Sequence, residues 1–335
     1  MPMKQSTFRA LRIYEEDQGH FRQQVSECQI NDLPRGEVLV NVHYAALNYK
    51  DALSASGNKG VTRQYPHTPG IDGAGVVAES QHPDFKEGDQ VIVTSYDLGM
   101  NTNGAFAEYI RVPASWVVPL PHGLGLKESM IIGTAGITAG IGLYKMEKAG
   151  QHPDRGPIAV SGATGGVGSM AVGILAKAGY EVIASTGKTQ EEAYLKAVGA
   201  TTVVDREYLN DPSGRSLLKP LWAGAIDTVG DNTLATLLKG CEPEGNVSSC
   251  GLVGSPRLNT TVFPFIIKGV NLLGIDSATF PMSSRQVIWD KLADEWRVPG
   301  LEKIATTISL DELSTYIERM LKGEVKGRTI VAMNQ

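Results

Sequence analysis

An α/β chain in two parts, a strand-rich part and a doubly wound parallel sheet, is predicted by three observations. Residues 8–118 hold short apolar strands, clearest at 38–42, 75–78 and 89–93, with little helical spacing between them. From residue 157 onward strands alternate with helices, the pattern of a parallel sheet covered on both faces. The length of 335 residues exceeds one average domain and suits two cores.

The elements follow in order. After the three strands comes an apolar stretch at 130–143, and then a strand at 157–160 that runs straight into the glycine cluster Gly162-Ala163-Thr164-Gly165-Gly166-Val167-Gly168. Residues 169–178 have helical apolar spacing and stop at Gly179, a residue suited to the position after a helix. A strand at 181–184, a polar helix at 191–198 closed by Gly199, and strands at 201–204, 225–229 and 246–253 continue the alternation. The apolar run 270–275 reads as the last strand of that sheet. From 277 the tail is mixed and ends in a strand at 328–332, which returns to the first part. The domains are therefore predicted as 1–123 with 277–335, and 124–276.

A strand, a glycine cluster and a helix in succession form the arrangement that holds a dinucleotide. Gly165 and Gly166 let the backbone approach a pyrophosphate, and Gly168 lets the helix sit close to the sheet with its N–H groups toward the anion. Ala163 takes the place of the first glycine. Chains that use NAD usually carry an acid about 20 residues beyond the glycines, at the end of the next strand. Here that position reads Ser185-Thr186-Gly187-Lys188, with Arg206 just past the third strand, so NADPH is the predicted cofactor. Lys188 and Arg206 also suit ordinary solvated charges.

The net charge of −5, without basic runs, argues against nucleic acid and polybasic membrane surfaces and leaves small molecules as partners. The longest apolar stretch is short and interrupted by glycines, and the N-terminus has no continuous apolar segment, so cytoplasm is the expected location. Three scattered cysteines suit reduced thiols rather than a disulfide framework.

In the first part, Asn48-Tyr49-Lys50-Asp51 follows a strand, and Pro69-Gly70-Ile71-Asp72-Gly73-Ala74-Gly75 comes about twenty residues later. With these motifs the chain resembles the zinc-independent quinone oxidoreductase branch of the medium-chain dehydrogenases/reductases. Gly133-Thr134-Ala135-Gly136, Gly274-Ile275-Asp276-Ser277 and Lys326-Gly327-Arg328-Thr329 are similar to its YhdH/YhfP subfamily, whose members are described as NADPH-dependent quinone reductases or acryloyl-CoA reductases. The resemblance implies a GroES-like β-rich catalytic domain, a Rossmann NADPH domain and a homodimer joined through the last strand. Zinc-dependent relatives have a cysteine where Asn48 stands and Gly-His-Glu where Gly70-Ile71-Asp72 stands, so no metal is expected.

The resemblance also places Asn48 and Asp51 at positions implicated in activity, Tyr49 against the nicotinamide, and Arg63 in a substrate-side loop. Without a metal, charge developing on a substrate oxygen must be met by hydrogen-bond donors or a cation, and Asn48, Tyr49 and Arg63 are the candidates. The residues leave plainer roles open: Asn48 suits a helix cap, Asp51 could orient Lys50 or a backbone amide, Tyr49 could pack and Arg63 could be solvated. For the cofactor the resemblance implies Thr164, Gly165, Gly166 and Val167 on the pyrophosphate, and Ser185, Thr186, Gly187, Lys188 and Arg206 around the 2′-phosphate. Leu252, Ile266 and Ser277 would line the nicotinamide half, with Arg328 coming from the closing strand. Leu252 and Ile266 also suit a core. Three functions remain open: reduction of an enoyl thioester such as acryloyl-CoA, reduction of a quinone, or NADPH binding without catalysis.

Overall fold

The computed structural model describes residues 6–333. A hairpin of β1 (Thr7–Glu15) and β2 (Phe21–Gln29) opens the chain. Strands β3 (Val38–Leu47), β4 (Asp72–Ser80), β5 (Gln90–Thr94), β6 (Tyr109–Val112) and β7 (Val117–Pro119) follow, with α1 (Tyr49–Ala55) leaving the end of β3. The long α2 (Leu126–Lys148) leads to β8 (Ile158–Val160), α3 (Gly166–Lys177), β9 (Val182–Thr186), α4 (Glu192–Val198) and β10 (Thr202–Asp205). Next come β11 (Trp222–Asp227), α5 (Asp231–Lys239), β12 (Cys241–Ser249), α6 (Phe263–Lys268) and β13 (Asn271–Gly274). Then α7 (Met282–Ala293), β14 (Ala305–Ser309), α8 (Leu313–Leu321) and β15 (Arg328–Ala332) complete it.

The chain divides into two compact units. The first comprises residues up to Thr134, Ala278–Gln286 and the chain from Leu301 onward. Its main sheet has the order β14-β15-β3-β4-β5-β7, with β6 also paired to β3. Val38, Val40 and Val42 alternate along β3 into a core shared with Phe106, Ile110 and Val331. The closing strand β15 runs antiparallel to β3 and is buried at all five residues.

The second unit comprises Ala135–Ser277 and Val287–Gly300. Its sheet is wholly parallel, in the order β10-β9-β8-β11-β12-β13. The central β8 and β11 are buried throughout, which is why they read as continuous apolar runs. β13 stands at the edge, with three of its four residues exposed.

Several boundaries differ from the sequence reading, each for a physical reason. The division falls after Thr134 rather than at 123/124, because the start of α2 is tied to the first unit: Arg328 Nε donates to Ile131 O at 2.9 Å and the Thr134 N–H donates to Asp72 Oδ2 at 2.8 Å. Residues 287–300 join the second unit, where Ile288 and Val298 pack onto Gly140 and Gly173. The strand expected at 225–229 ends at Asp227, whose carboxylate accepts the N–H groups of Val229 and Gly230 and turns the chain out of the sheet. The strand expected at 246–253 runs from Cys241 to Ser249, after which the Cys250 N–H bonds back to Asp227 O.

All three cysteines are free thiols. Burial pushes Cys241 up to about 12, and burial followed by the charge of Asp227 does the same for Cys250, whose Sγ–H donates to Asp227 O at 3.3 Å. Burial also raises Cys28 on β2 above the ordinary thiol value.

Candidate active site

β3 ends where Asn48 begins α1. The Asn48 backbone is extended, as a helix N-cap requires, and the Asp51 carboxylate accepts the Asn48 N–H at 2.8 Å, the reciprocal bond of a capping box. The motif Asn48-Tyr49-Lys50-Asp51 is thus a cap and a first turn. Its two polar side chains also reach well beyond the helix. Asn48 Nδ2 donates to Asp72 Oδ2 at 2.9 Å and to Ala46 O at 3.2 Å, with Asp51 Oδ2 at 3.3 Å, while Asn48 Oδ1 accepts from Arg328 Nη1 at 3.0 Å. These partners dictate which way the amide points, since a guanidinium can only donate and a carboxylate anion can only accept.

Asp51 Oδ1 accepts the N–H groups of Gly70 and Ile71 at 3.2 and 2.9 Å, so the Pro69-Gly70-Ile71-Asp72 segment hangs from α1. Asp72, at the start of β4, accepts the Thr134 N–H at 2.8 Å and the Thr134 hydroxyl, and stands 3.7 Å from Arg328 Nη2. α2 is broken just before Thr134, where Gly133 has φ 47° and ψ −158°. A Cβ on Gly133 would lie 2.6 Å from Asp72 Oδ2 and 2.8 Å from Arg328 Nη2, so both the backbone conformation and the space demand glycine. Asp51, Asp72 and Arg328 are all buried, Arg328 at 2 % exposure. Asp72 is thus the carboxylate that faces the guanidinium, while Asp51 is held by Asn48 and by the Gly70 and Ile71 N–H groups. Burial, and after it the charge of Asp72, push the Asp51 carboxyl up to about 7.

The structure brings Asn48, Asp51 and Arg328 together and leaves Tyr49 and Arg63 outside the cluster. The two amide hydrogens of Asn48, expected as a donor to a substrate oxygen, face Asp72 and Ala46 O. Asp51, expected among the catalytic residues, is buried with its oxygens on backbone N–H groups. Arg328, expected beside the cofactor, holds Asn48, Ile131 O and Asp72. Tyr49 is 46 % exposed and is the exposed hydroxyl of the motif. Arg63 is exposed on a loop pinned by Tyr65 Oη to Ser54 O at 2.7 Å and by a 2.7 Å contact between the Ser54 and Thr62 hydroxyls. Asp72 and Thr134 were missing from the expected set. The available signal was an acid at the start of an apolar strand and a Gly-Thr pair inside an apolar helix.

In the second unit, Gly165 is the N-cap of α3 and offers no side-chain cap, so the first N–H groups of the helix, from Gly166 and Val167, face outward from the glycine turn. A Cβ on Gly168 would lie 2.2 Å from Gly162 O, which explains the glycine there. The Thr164 and Thr186 hydroxyls meet at 2.9 Å, Thr186 Oγ1 accepts the Lys188 N–H at 3.0 Å, and Ser185 Oγ reaches Asp205 O at 3.4 Å. The Arg206 guanidinium lies over Gly187, only 1.8 Å from where a Cβ would stand. Lys188 and Arg206 thus flank the turn after β9. Leu252, 66 % exposed, lines a cleft of about 630 Å³ with Lys145, Cys250, Ser255 and Asp276. Ile266 is 71 % exposed on α6, so neither aliphatic is a core residue. Ser277 accepts a hydrogen bond from Thr138 Oγ1 at 2.8 Å.

Residues 34–122 match the alcohol dehydrogenase GroES-like domain, and residues 166–294 match the zinc-binding dehydrogenase family. YhfP of Bacillus subtilis, described as a quinone oxidoreductase, is 43 % identical over 92 % of this chain and 94 % of its own. The acrylyl-CoA reductase AcuI of Ruegeria pomeroyi is 41 % identical over 96 % of this chain and 97 % of its own. The chain belongs to the quinone oxidoreductase-like branch of the medium-chain dehydrogenases/reductases. Among solved structures of this branch, Salmonella enterica YhdH in complex with NADP superposes with a TM-score of 0.94 at 41 % identity, covering 97 % of this chain and 100 % of that one. B. subtilis YhfP with NAD bound superposes at 0.96 and 41 % identity, covering 98 % and 100 %. Among the described residues no three His, Cys, Asp or Glu side chains gather into a group that could hold a metal ion.

Proposed function

We propose that this protein is an NADPH-dependent reductase that delivers a hydride to the β carbon of an electron-poor double bond conjugated to a carbonyl, with acryloyl-CoA to propanoyl-CoA as the leading reaction. The observation that carries this reading is the near-full-length likeness to an acrylyl-CoA reductase. Quinone reduction is the second reading, favoured by the likeness to YhfP.

The residues present fit the cofactor: an uncapped glycine turn opens α3, and two cations flank the turn after β9 where an NAD enzyme would place an acid. NADPH, when bound, supplies the hydride. Gly165, Gly166 and Val167 would present backbone N–H groups to the pyrophosphate, with Thr164 beside them. Gly187 lets the Arg206 guanidinium lie against the turn, where it and Lys188 would supply the charge for the 2′-phosphate, while the Ser185 and Thr186 hydroxyls brace that turn from inside. Leu252, Ile266 and Ser277 would border the nicotinamide half. On the first unit, Tyr49 is the group best suited to meet an enolate oxygen, because its neighbour Asn48 has its hydrogens engaged and its own hydroxyl lies on an exposed side chain. The exposed guanidinium of Arg63 suits the anionic part of a thioester substrate. The α carbon then takes its proton from solvent.

A comparison of kcat/KM for acryloyl-CoA, crotonyl-CoA and a benzoquinone with NADPH tests the reading. A quinone preferred over both thioesters replaces the first reading with the second, and no NADPH consumption with any of the three leaves a binding protein. Lys188→Ala is expected to raise KM for NADPH ~10-fold or more and to leave NADH nearly unchanged, as one charge-assisted contact of roughly 1.5–3 kcal/mol is lost. Equal losses with both cofactors would remove Lys188 from the phosphate.

The edge strand β13 and the neighbouring exposed apolar side chains Val262, Ile267 and Leu272 support a homodimer formed by adding β13 to its copy. Light scattering at micromolar concentration is expected to report twice the chain mass, and a monomer there would rule the pairing out. No helix among the described residues is long and apolar enough to cross a membrane. The free thiols suit a reducing compartment such as the cytoplasm.

A further inference from the structure

The Gly133-Thr134 break in α2 has no part in the cofactor or substrate roles assigned so far. Thr134 gives Asp72 two donors, its N–H to Oδ2 at 2.8 Å and its hydroxyl to Oδ1. Asp72 Oδ2 in turn accepts Asn48 Nδ2 at 2.9 Å, and Asn48 is the cap from which α1 and Tyr49 start. The order of protons along this chain is determined. A hydroxyl has one hydrogen, and the one on Thr134 faces a carboxylate, so the 2.9 Å contact between Ser95 Oγ and Thr134 Oγ1 must have Ser95 as donor. Ser95 and Tyr96 both hold left-handed backbone conformations, at φ 66° and 52°, which a residue with a Cβ adopts only at a cost that glycine is spared. Their N–H groups are fixed on Ile71 O at 2.8 Å and Ala278 O at 3.0 Å, which keeps the Ser95 hydroxyl against Thr134.

We infer that Thr134 is a positioning residue for the reaction: through Asp72 it holds the Asn48 amide, and with it the first turn of α1, in the one orientation that presents Tyr49. The inference rests on the proposed reductase reading for its kinetic consequence only. Its structural consequence, a stiffer start to α1, holds whatever the substrate.

Thr134→Val keeps the shape and removes the hydroxyl, while Thr134→Ser keeps the hydroxyl. For Thr134→Val, kcat with acryloyl-CoA is expected to fall ~10-fold, the effect of one lost bond to a charged group. KM for NADPH should hold, and amide hydrogen exchange over residues 48–55 should rise while that of α8 does not. Thr134→Ser is expected to return both readouts to near the parent values. Unchanged kcat and unchanged exchange in Thr134→Val overturn the inference. So does a Thr134→Ser variant as impaired as Thr134→Val, since packing of the methyl group would then be the cause. Should the parent protein reduce no acceptor, the functional reading fails by itself, and the exchange measurement still decides the role of Thr134.

Discussion

Arg328→Met is expected to destabilise the protein by about 3–5 kcal/mol at pH 8, because it removes the guanidinium that faces the buried Asp72. Asn48 Oδ1 and Ile131 O lose their donor at the same time. The deficit should shrink toward pH 5, and the sign follows from Asp51. Its carboxyl is raised in the folded state, so the folded protein binds that proton more tightly than the unfolded chain does. The resulting stabilisation is fully present below the unfolded value of about 4 and is lost as pH rises to about 7. At pH 5 a neutral Asp51 no longer adds its charge to a cluster that has lost Arg328. Urea unfolding at both pH values reads this directly, and a deficit under about 1 kcal/mol at pH 8 would mean that the cluster does not depend on its guanidinium.

Tyr49→Phe is expected to lower kcat ~10²-fold with acryloyl-CoA while leaving NADPH affinity and melting temperature close to those of the parent, as for an oxyanion donor made stronger in the transition state. The side chain is half exposed, so removing its hydroxyl disturbs no core. Asn48→Ala separates the two roles. It should lower kcat as well, but together with stability, since Asp72 and Arg328 each lose a partner. If Tyr49→Phe retains near-parent kcat while Asn48→Ala loses activity without loss of stability, the oxyanion donor is Asn48 after all and its amide must turn on substrate binding.

What the sequence made legible is local. The glycine turn, the helix it opens and the cations after β9 lie within fifty residues of one another, and each is written in residue types that adopt few other conformations. The returning strand β15 was legible because it ends in the apolar run Ile330-Val331-Ala332, with β-branched Ile330 and Val331. The polar cluster was not, because its members come from four distant places: Asn48 meets Asp72 across 24 positions, Thr134 meets Asp72 across 62, and Arg328 meets Asn48 across 280. Period and spacing carry no information about such meetings. Asn48 looked free to serve the substrate only while the partners of its side chain were out of view, and the family resemblance pointed to its position without revealing how its amide is held.

The state of the three thiols bears on how the protein would withstand the electrophile proposed as its substrate. An acryloyl thioester is a Michael acceptor that alkylates thiolates, whereas a thiol that burial holds up at about 12 stays protonated at neutral pH. Cys250 lies in the wall of the cleft beside Leu252, where a reactive sulfur would be most exposed to damage, and its proton is held on Asp227 O. The folded protein should therefore accumulate adducts slowly and first at Cys28, the thiol whose rise is the least. Intact-mass and peptide mapping after incubation with an acrylate ester reads this out, and early alkylation of Cys250 in the native protein would show that its sulfur is unguarded.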